Sequence, residues 1–138
     1  MSRKRYLIDS NICILVLRNL YNAEEIFKLI KEEDCYISEI TLYELWCGNE
    51  IAKQHKTGYR EQKLERFLSY FKILPISEVI KTAAIEKARL QSLGLPLDDD
   101  FDLLMGCTSV YHNMIMVTDN IRHFKNIKGI KIQDWVQR

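Results

Sequence analysis

The chain has 138 residues, 47% apolar and 28% charged, a balance that suits one globular domain and excludes disordered and fibrous classes. Twenty basic against nineteen acidic side chains leave a net charge of +1, which permits a nucleic-acid partner without demanding one. No apolar run approaches the ~18 residues of a membrane span, and the run after the basic start is too short for a signal peptide. The expectation is a single cytoplasmic domain over residues 1–138 with no membrane partner.

In chain order, Tyr6-Leu7-Ile8 reads as a short strand stopped by the polar turn Asp9-Ser10-Asn11. Ile12 to Leu20 reads as a helix, and Asn22 is placed to cap a second one reaching about Lys31. Cys35-Tyr36-Ile37 is the next strand, after which Ser38 caps a helix. The spacing of Leu64, Phe67, Leu68 and Phe71 predicts a one-sided helix over about Tyr59 to Tyr70. A third strand follows at Ile73-Leu74-Pro75-Ile76. Ser77 then caps a helix whose buried face is expected to be Ile80, Ala84 and Ala88, ended by Gly94 and Pro96. A helix from near Asp100 to Tyr111, a strand over Met114 to Thr118 and a last strand at Ile130-Lys131-Ile132 complete the order. Strands alternate with helices and no hairpin signal separates strands, so the class is α/β with a mostly parallel central sheet and helices on both faces.

Cys13, Cys35, Cys47 and Cys107 form no Cys-x-x-Cys pair and sit among apolar neighbours, so they read as small core residues. His55, His112 and His123 lack metal-ligand spacing, and no nucleophile elbow or phosphate-binding glycine loop occurs. The acidic residues are more informative. Asp9 and Asp119 each follow a strand directly, and in an open parallel sheet ligands bind beyond the carboxyl ends of the strands. Asp9 would equally serve as a helix cap. Glu44 has Ile40, Thr41, Cys47 and Gly48 as its helical neighbours, a face that looks packed. Either it binds something there, or it snorkels outward or pairs with a lysine. Asp102 begins a helix, with Gly106 one turn on expected to leave space beside the carboxylate. Asp98, Asp99 and Asp100 read as solvated capping acids. Four carboxylates from four segments would repel unless a hard cation sat between them, and oxygen-only sites select Mg²⁺ or Mn²⁺. Such a site activates water for attack on phosphorus. Withdrawing those acids leaves the rest of the chain more basic, with Lys53, Lys56, Arg60, Lys63 and Arg66 and then Arg122, Lys125, Lys128 and Lys131 on solvated faces able to meet a phosphate backbone.

Leu7-Ile8-Asp9-Ser10-Asn11-Ile12, Ser38-Glu39-Ile40-Thr41-Leu42-Tyr43-Glu44-Leu45 and Phe101-Asp102-Leu103-Leu104-Met105-Gly106 resemble the successive motifs of PIN-domain proteins, most of all the VapC toxins of toxin–antitoxin pairs. The ending, Val117-Thr118-Asp119-Asn120-Ile121-Arg122-His123-Phe124 followed by Asp134-Trp135, is similar to the VapC carboxyl terminus. The resemblance implies a three-layer α/β/α sandwich and a Mg²⁺- or Mn²⁺-dependent endoribonuclease that hydrolyses RNA with metal-activated water, leaving a 5′-phosphate and a 3′-hydroxyl. It implies metal ligands at Asp9, Glu44 and Asp102, with Asp100 a weaker rival for the third. The fourth position falls on Asn120 by the family's spacing, with Asp119 the adjacent carboxylate. Ser10, Asn11 and Thr118 would orient ligands or water. The resemblance also implies a VapB-like antitoxin and a homodimer. The alternatives are a catalytically silent PIN-fold module that binds nucleic acid or protein, and a nuclease acting on DNA.

Overall fold

The computed structural model describes residues 3–56 and 61–138. Five strands form one sheet: β1 (Arg5–Ile8), β2 (Asp34–Ser38), β3 (Lys72–Leu74), β4 (Ile115–Val117) and β5 (Ile132–Gln133). Their order is β3-β2-β1-β4-β5, and each neighbouring pair is parallel. The expected α/β class with helices on both faces is therefore the observed one. From β1 the chain builds outward through β2 to β3, then returns to place β4 on the other side of β1. The switch point of the sheet lies between β1 and β4.

Alternation along the strands divides the core. Tyr6, Ile8, Cys35, Ile37 and Val117 face one layer, with residues of α1 (Ser10–Leu17), α2 (Ala23–Glu32) and α4 (Glu61–Leu68). Leu7, Tyr36 and Met116 face the other, with residues of α5 (Ile80–Ser92), α6 (Asp100–Tyr111) and α7 (Ile121–Phe124). The long helix α3 (Glu39–His55) contributes Ile40 to one layer and Leu45 to the other. Both sheet faces are buried, which accounts for the uninterrupted apolar strands.

Several local expectations need correction. Helix α1 starts at Ser10 and stops at Leu17, because Asn19 and Tyr21 take left-handed backbone conformations (φ 56° and 49°). Asn22 precedes α2 but makes no cap. Its side chain donates to the Trp135 carbonyl at 2.9 Å and accepts from Gln137 N–H at 2.8 Å, tying down the carboxyl-terminal segment. Ser38 does cap α3, accepting from Thr41 N–H at 3.2 Å. Ser77 does not cap α5; it opens a short 3₁₀ turn. The buried face of α5 is Ala83, Glu86 and Leu90, whereas Ile80, Ala84 and Ala88 are exposed. Apolar spacing alone misassigned that helix, because the buried face includes a polar residue, Glu86, whose carboxylate is paired with Arg89. The last strand starts two residues later than expected, at Ile132. Of the predicted 59–70 helix, residues 59 and 60, and with them Arg60, lie outside the described residues. The cysteines are free thiols, with Cys13, Cys35 and Cys107 buried. No helix among the described residues is long and apolar enough to cross a membrane.

Candidate active site

The switch point brings two chain segments together. Asp9 leaves β1 and Thr118 leaves β4 on neighbouring parallel strands, and the Thr118 hydroxyl donates to Asp9 Oδ2 at 2.8 Å. Asp9 occupies the cap position of α1 but makes no side-chain capping bond, so that alternative is removed. The residue is 3% exposed, and burial pushes its carboxyl up to about 6. The Thr118 bond opposes that shift, while Asp102 and then Glu44 add to it by repulsion.

Glu44 enters from α3. Its Oε1 accepts from the Ser10 hydroxyl at 2.6 Å, and Ser10 also lies 3.0 Å from Thr41 Oγ1. Ser10 and Thr41 are buried and both reach the Met105 sulfur of α6, so three helices meet at one small polar knot. Burial raises the Glu44 carboxyl above its ordinary range, against the Ser10 bond and with help from Asp99 and Asp102. No lysine pairs with Glu44 among the described residues, which removes the ion-pair reading of this residue. Asp102, in the first turn of α6, is likewise raised, first by burial and then by Asp99. His123 of α7 opposes that rise, with Nδ1 3.0 Å from Asp102 Oδ2.

Asp9, Glu44 and Asp102 thus act on one another from three segments. The other expected site residues are placed differently. Asp119 is turned to Arg138, with which it forms an ion pair, and it is absent from the charges acting on those three carboxylates. Asn120 is half-buried beside the site, its N–H donating to Thr118 Oγ1 at 3.0 Å. Asn11 is exposed on α1. Asp100 bonds Lys87 at 2.7 Å on the surface, which separates it from the acids of the site. Asp99 has two roles, accepting from Phe101 N–H at 2.8 Å as the cap of α6 and adding negative potential to Glu44 and Asp102. Gly106 does not clear room beside Asp102. A Cβ there would stand 2.3 Å from Ile127 Cδ1 and 3.3 Å from Phe124 Cδ1, so the glycine lets the α7 region pack on α6.

Sequence reasoning missed His123, Asp99 as a neighbour of the acids, and the Thr41–Met105 knot. The available signal for His123 was its place one turn after Asn120, in a segment leaving β4 at the same sheet edge. Among the described residues, no three Asp, Glu, His or Cys side chains stand close enough together to enclose a cation. The donor chemistry nevertheless suits a hard cation: the acids offer oxygen only, burial raises all three, negative neighbours add to each shift, and Mg²⁺ commonly keeps several waters between itself and its protein ligands.

Comparison with known proteins agrees with this architecture. Residues 6–130 match the PIN domain family. The chain is 31% identical to Ribonuclease VapC2 of Rickettsia felis, over 94% of this chain and 97% of that protein. It is 32% identical to the tRNA(fMet)-specific endonuclease VapC of Salmonella typhimurium, over 95% and 98%. The fold superposes on the crystal structure of DNA-bound VapBC from Salmonella typhimurium with a TM-score of 0.78 and 28% identity, covering 96% of this chain and 98% of that one. With its motifs in order along nearly the whole length, this chain belongs to the PIN-domain family and, within it, to the VapC group.

Proposed function

We propose that the chain is a Mg²⁺- or Mn²⁺-dependent endoribonuclease, the toxin half of a VapBC-type pair. The observation that carries this reading is that Asp9, Glu44 and Asp102 come from three segments to the switch-point end of the sheet, where burial raises all three carboxyls, Asp9 is raised further by Asp102 and Glu44, and Glu44 by Asp99 and Asp102. The ribonuclease names of the relatives and the VapBC complex support the same activity and a VapB-like antitoxin as partner. The homodimer is carried in the proposal as the family's usual assembly.

In this reading Asp9, Glu44 and Asp102 hold the cation, and Asn120 completes the group. When bound, the cation supplies Lewis acidity, polarising the phosphodiester and lowering the pKa of water. The protein's own contribution is orientation. Thr118, Ser10 and His123 each fix one oxygen of one carboxylate, which limits rotation and selects the conformer offered to a ligand. Arg138 holds Asp119 apart, which favours Asn120 over Asp119 for the fourth place.

The test is digestion of labelled RNA and single-stranded DNA with Mg²⁺, with Mn²⁺ and with chelator. Metal-dependent cutting of RNA alone, lost in Asp9→Asn and Asp102→Asn, is the expected result. Either cation should also raise the melting temperature of the parent and not of Asp9→Asn, because it binds only the native acids. Binding without cutting would identify the silent module, and equal cutting of DNA would identify the broader nuclease.

A further inference from the structure

Beside Asp102 lies a cleft that holding a cation does not require. Its volume is about 320 Å³, and it runs between the 94–99 segment and α7. That volume stands at the low end for small-molecule sites, roughly 300–1,000 Å³, and suits one nucleotide better than a stretch of strand. Pro96 and Leu97 give it apolar surface, Arg122 a guanidinium, His123 an aromatic ring and Asp98 a carboxylate. His123 is held by Asp102, so its ring is a fixed part of the wall. Among the described residues, Asp98 and Arg122 enter no ion pair.

We propose that this cleft is a nucleotide subsite, taking one unstacked RNA base next to the scissile phosphate, with Asp98 selecting guanine. The proposal rests on the endoribonuclease reading for where the scissile phosphate sits. Unpaired bases are held on aromatic rings and guanidinium planes and are read along their Watson–Crick edges. An ionised carboxylate only accepts hydrogen bonds. Guanine offers it N1–H and the 2-amino group side by side, one for each oxygen. Adenine and cytosine place an acceptor nitrogen beside their amino group, and uracil flanks its single N–H with two carbonyls. Asp98 and Asp99 repel a phosphate from the 94–99 side of the cleft, so the base takes that side and the phosphate the side of α7. The adjoining phosphate falls to Arg122.

The experiment measures equilibrium binding, with chelator present, of labelled oligouridylates carrying a single guanosine, inosine, adenosine or cytidine. Inosine keeps N1–H and lacks the 2-amino group. The parent should bind the guanosine oligomer about tenfold more tightly than the inosine one, in line with loss of half a bidentate contact. Asp98→Asn should erase that difference. Arg122→Gln should weaken all oligomers alike and lower the slope of log affinity against log salt by about 1. Asp98 and Arg122 are both exposed, so folding is not at issue. Equal binding of guanosine and inosine by the parent, or discrimination retained in Asp98→Asn, would overturn the subsite. RNA bound with this preference but never cut in Mg²⁺ or Mn²⁺ would instead support the subsite and overturn the endoribonuclease reading.

Discussion

Thr118 donates its hydroxyl proton to Asp9 across the junction of β1 and β4, at 2.8 Å and out of solvent. This single bond joins residues 109 positions apart and fixes the carboxylate at the point where strand order reverses. It does not compensate for burial, since Asp9 still ionises only at about 6 rather than near 3.8.

The sign of that shift makes a prediction. An acid with a raised folded value contributes stability that is fully present below about pH 4 and is lost as pH rises through about 6. At neutral pH the ionised Asp9 therefore costs the fold stability. Asp9→Asn should be more stable than the parent at pH 7.5, by about 3 kcal/mol, and the two should converge near pH 4. Urea melts at both pH values check this. On the proposed reading, RNA cleavage by the same variant should fall by at least ~10², because a ligand to the cation would be lost.

Glu44→Gln tests the second carboxylate. Ordinary surface replacements shift stability by no more than ~0.5 kcal/mol and leave activity alone. The Gln variant keeps the acceptor for Ser10 and removes repulsion from Asp99 and Asp102, so its melting temperature should hold or rise. Its cleavage rate should nevertheless drop by ~10² or more. Lower stability with an unchanged rate would make Glu44 a structural residue and reduce the acid group to Asp9 and Asp102.

Much of this arrangement was legible beforehand, for identifiable reasons. Strands buried on both faces carry uninterrupted apolar runs, so β1, β2 and β4 stood out, and the acids after them follow from the geometry of open sheets. What stayed hidden depends on contacts between distant segments. Nothing local marks His123 as the neighbour of Asp102, 21 positions away, or Arg138 as the partner of Asp119. The buried face of α5 was misassigned because it contains Glu86, and a charge cannot be placed inside until its partner is known. Gly106 was misread because a glycine beside an acid looks like room for a ligand, whereas its missing Cβ makes room for Ile127.

That reading of Gly106 has a direct check. In an open helix, Gly106→Ala should stabilise by ~1 kcal/mol. Here the new methyl meets Ile127 Cδ1 at 2.3 Å in a buried layer, and overpacking of this kind costs about 1–3 kcal/mol. The single variant should be neutral or destabilised by up to ~2 kcal/mol. Adding Ile127→Val removes the clashing carbon, so the double variant should be more stable than the sum of the two singles by at least ~1 kcal/mol. Additive melts would place the strain elsewhere.

Glu86 supplies the contrast to Asp9, because both are buried acids and only Asp9 is among the proposed site residues. Arg89 grips both Glu86 oxygens at 2.7 Å, and Lys128 N–H donates to Oε2 at 2.7 Å. Arg89 also donates to the Asn126 carbonyl at 2.9 Å, so the group pins the chain after α7 to α5. The Arg89 bond, with Lys128 assisting, outweighs burial and holds the Glu86 carboxyl below its usual range. A lowered value contributes stability that is present above the unfolded value of about 4.5 and is lost as pH falls through the folded one. Glu86→Gln should therefore lower the melting temperature at pH 7, since it leaves Arg89 without its charge partner. That deficit should shrink toward pH 3, the opposite course to Asp9→Asn, whose advantage exists only at higher pH. Melts of the two variants across pH 3–8 would separate a carboxylate satisfied by the fold from one kept under strain for a ligand. Parallel curves would mean that burial alone, and not the partner, governs both acids.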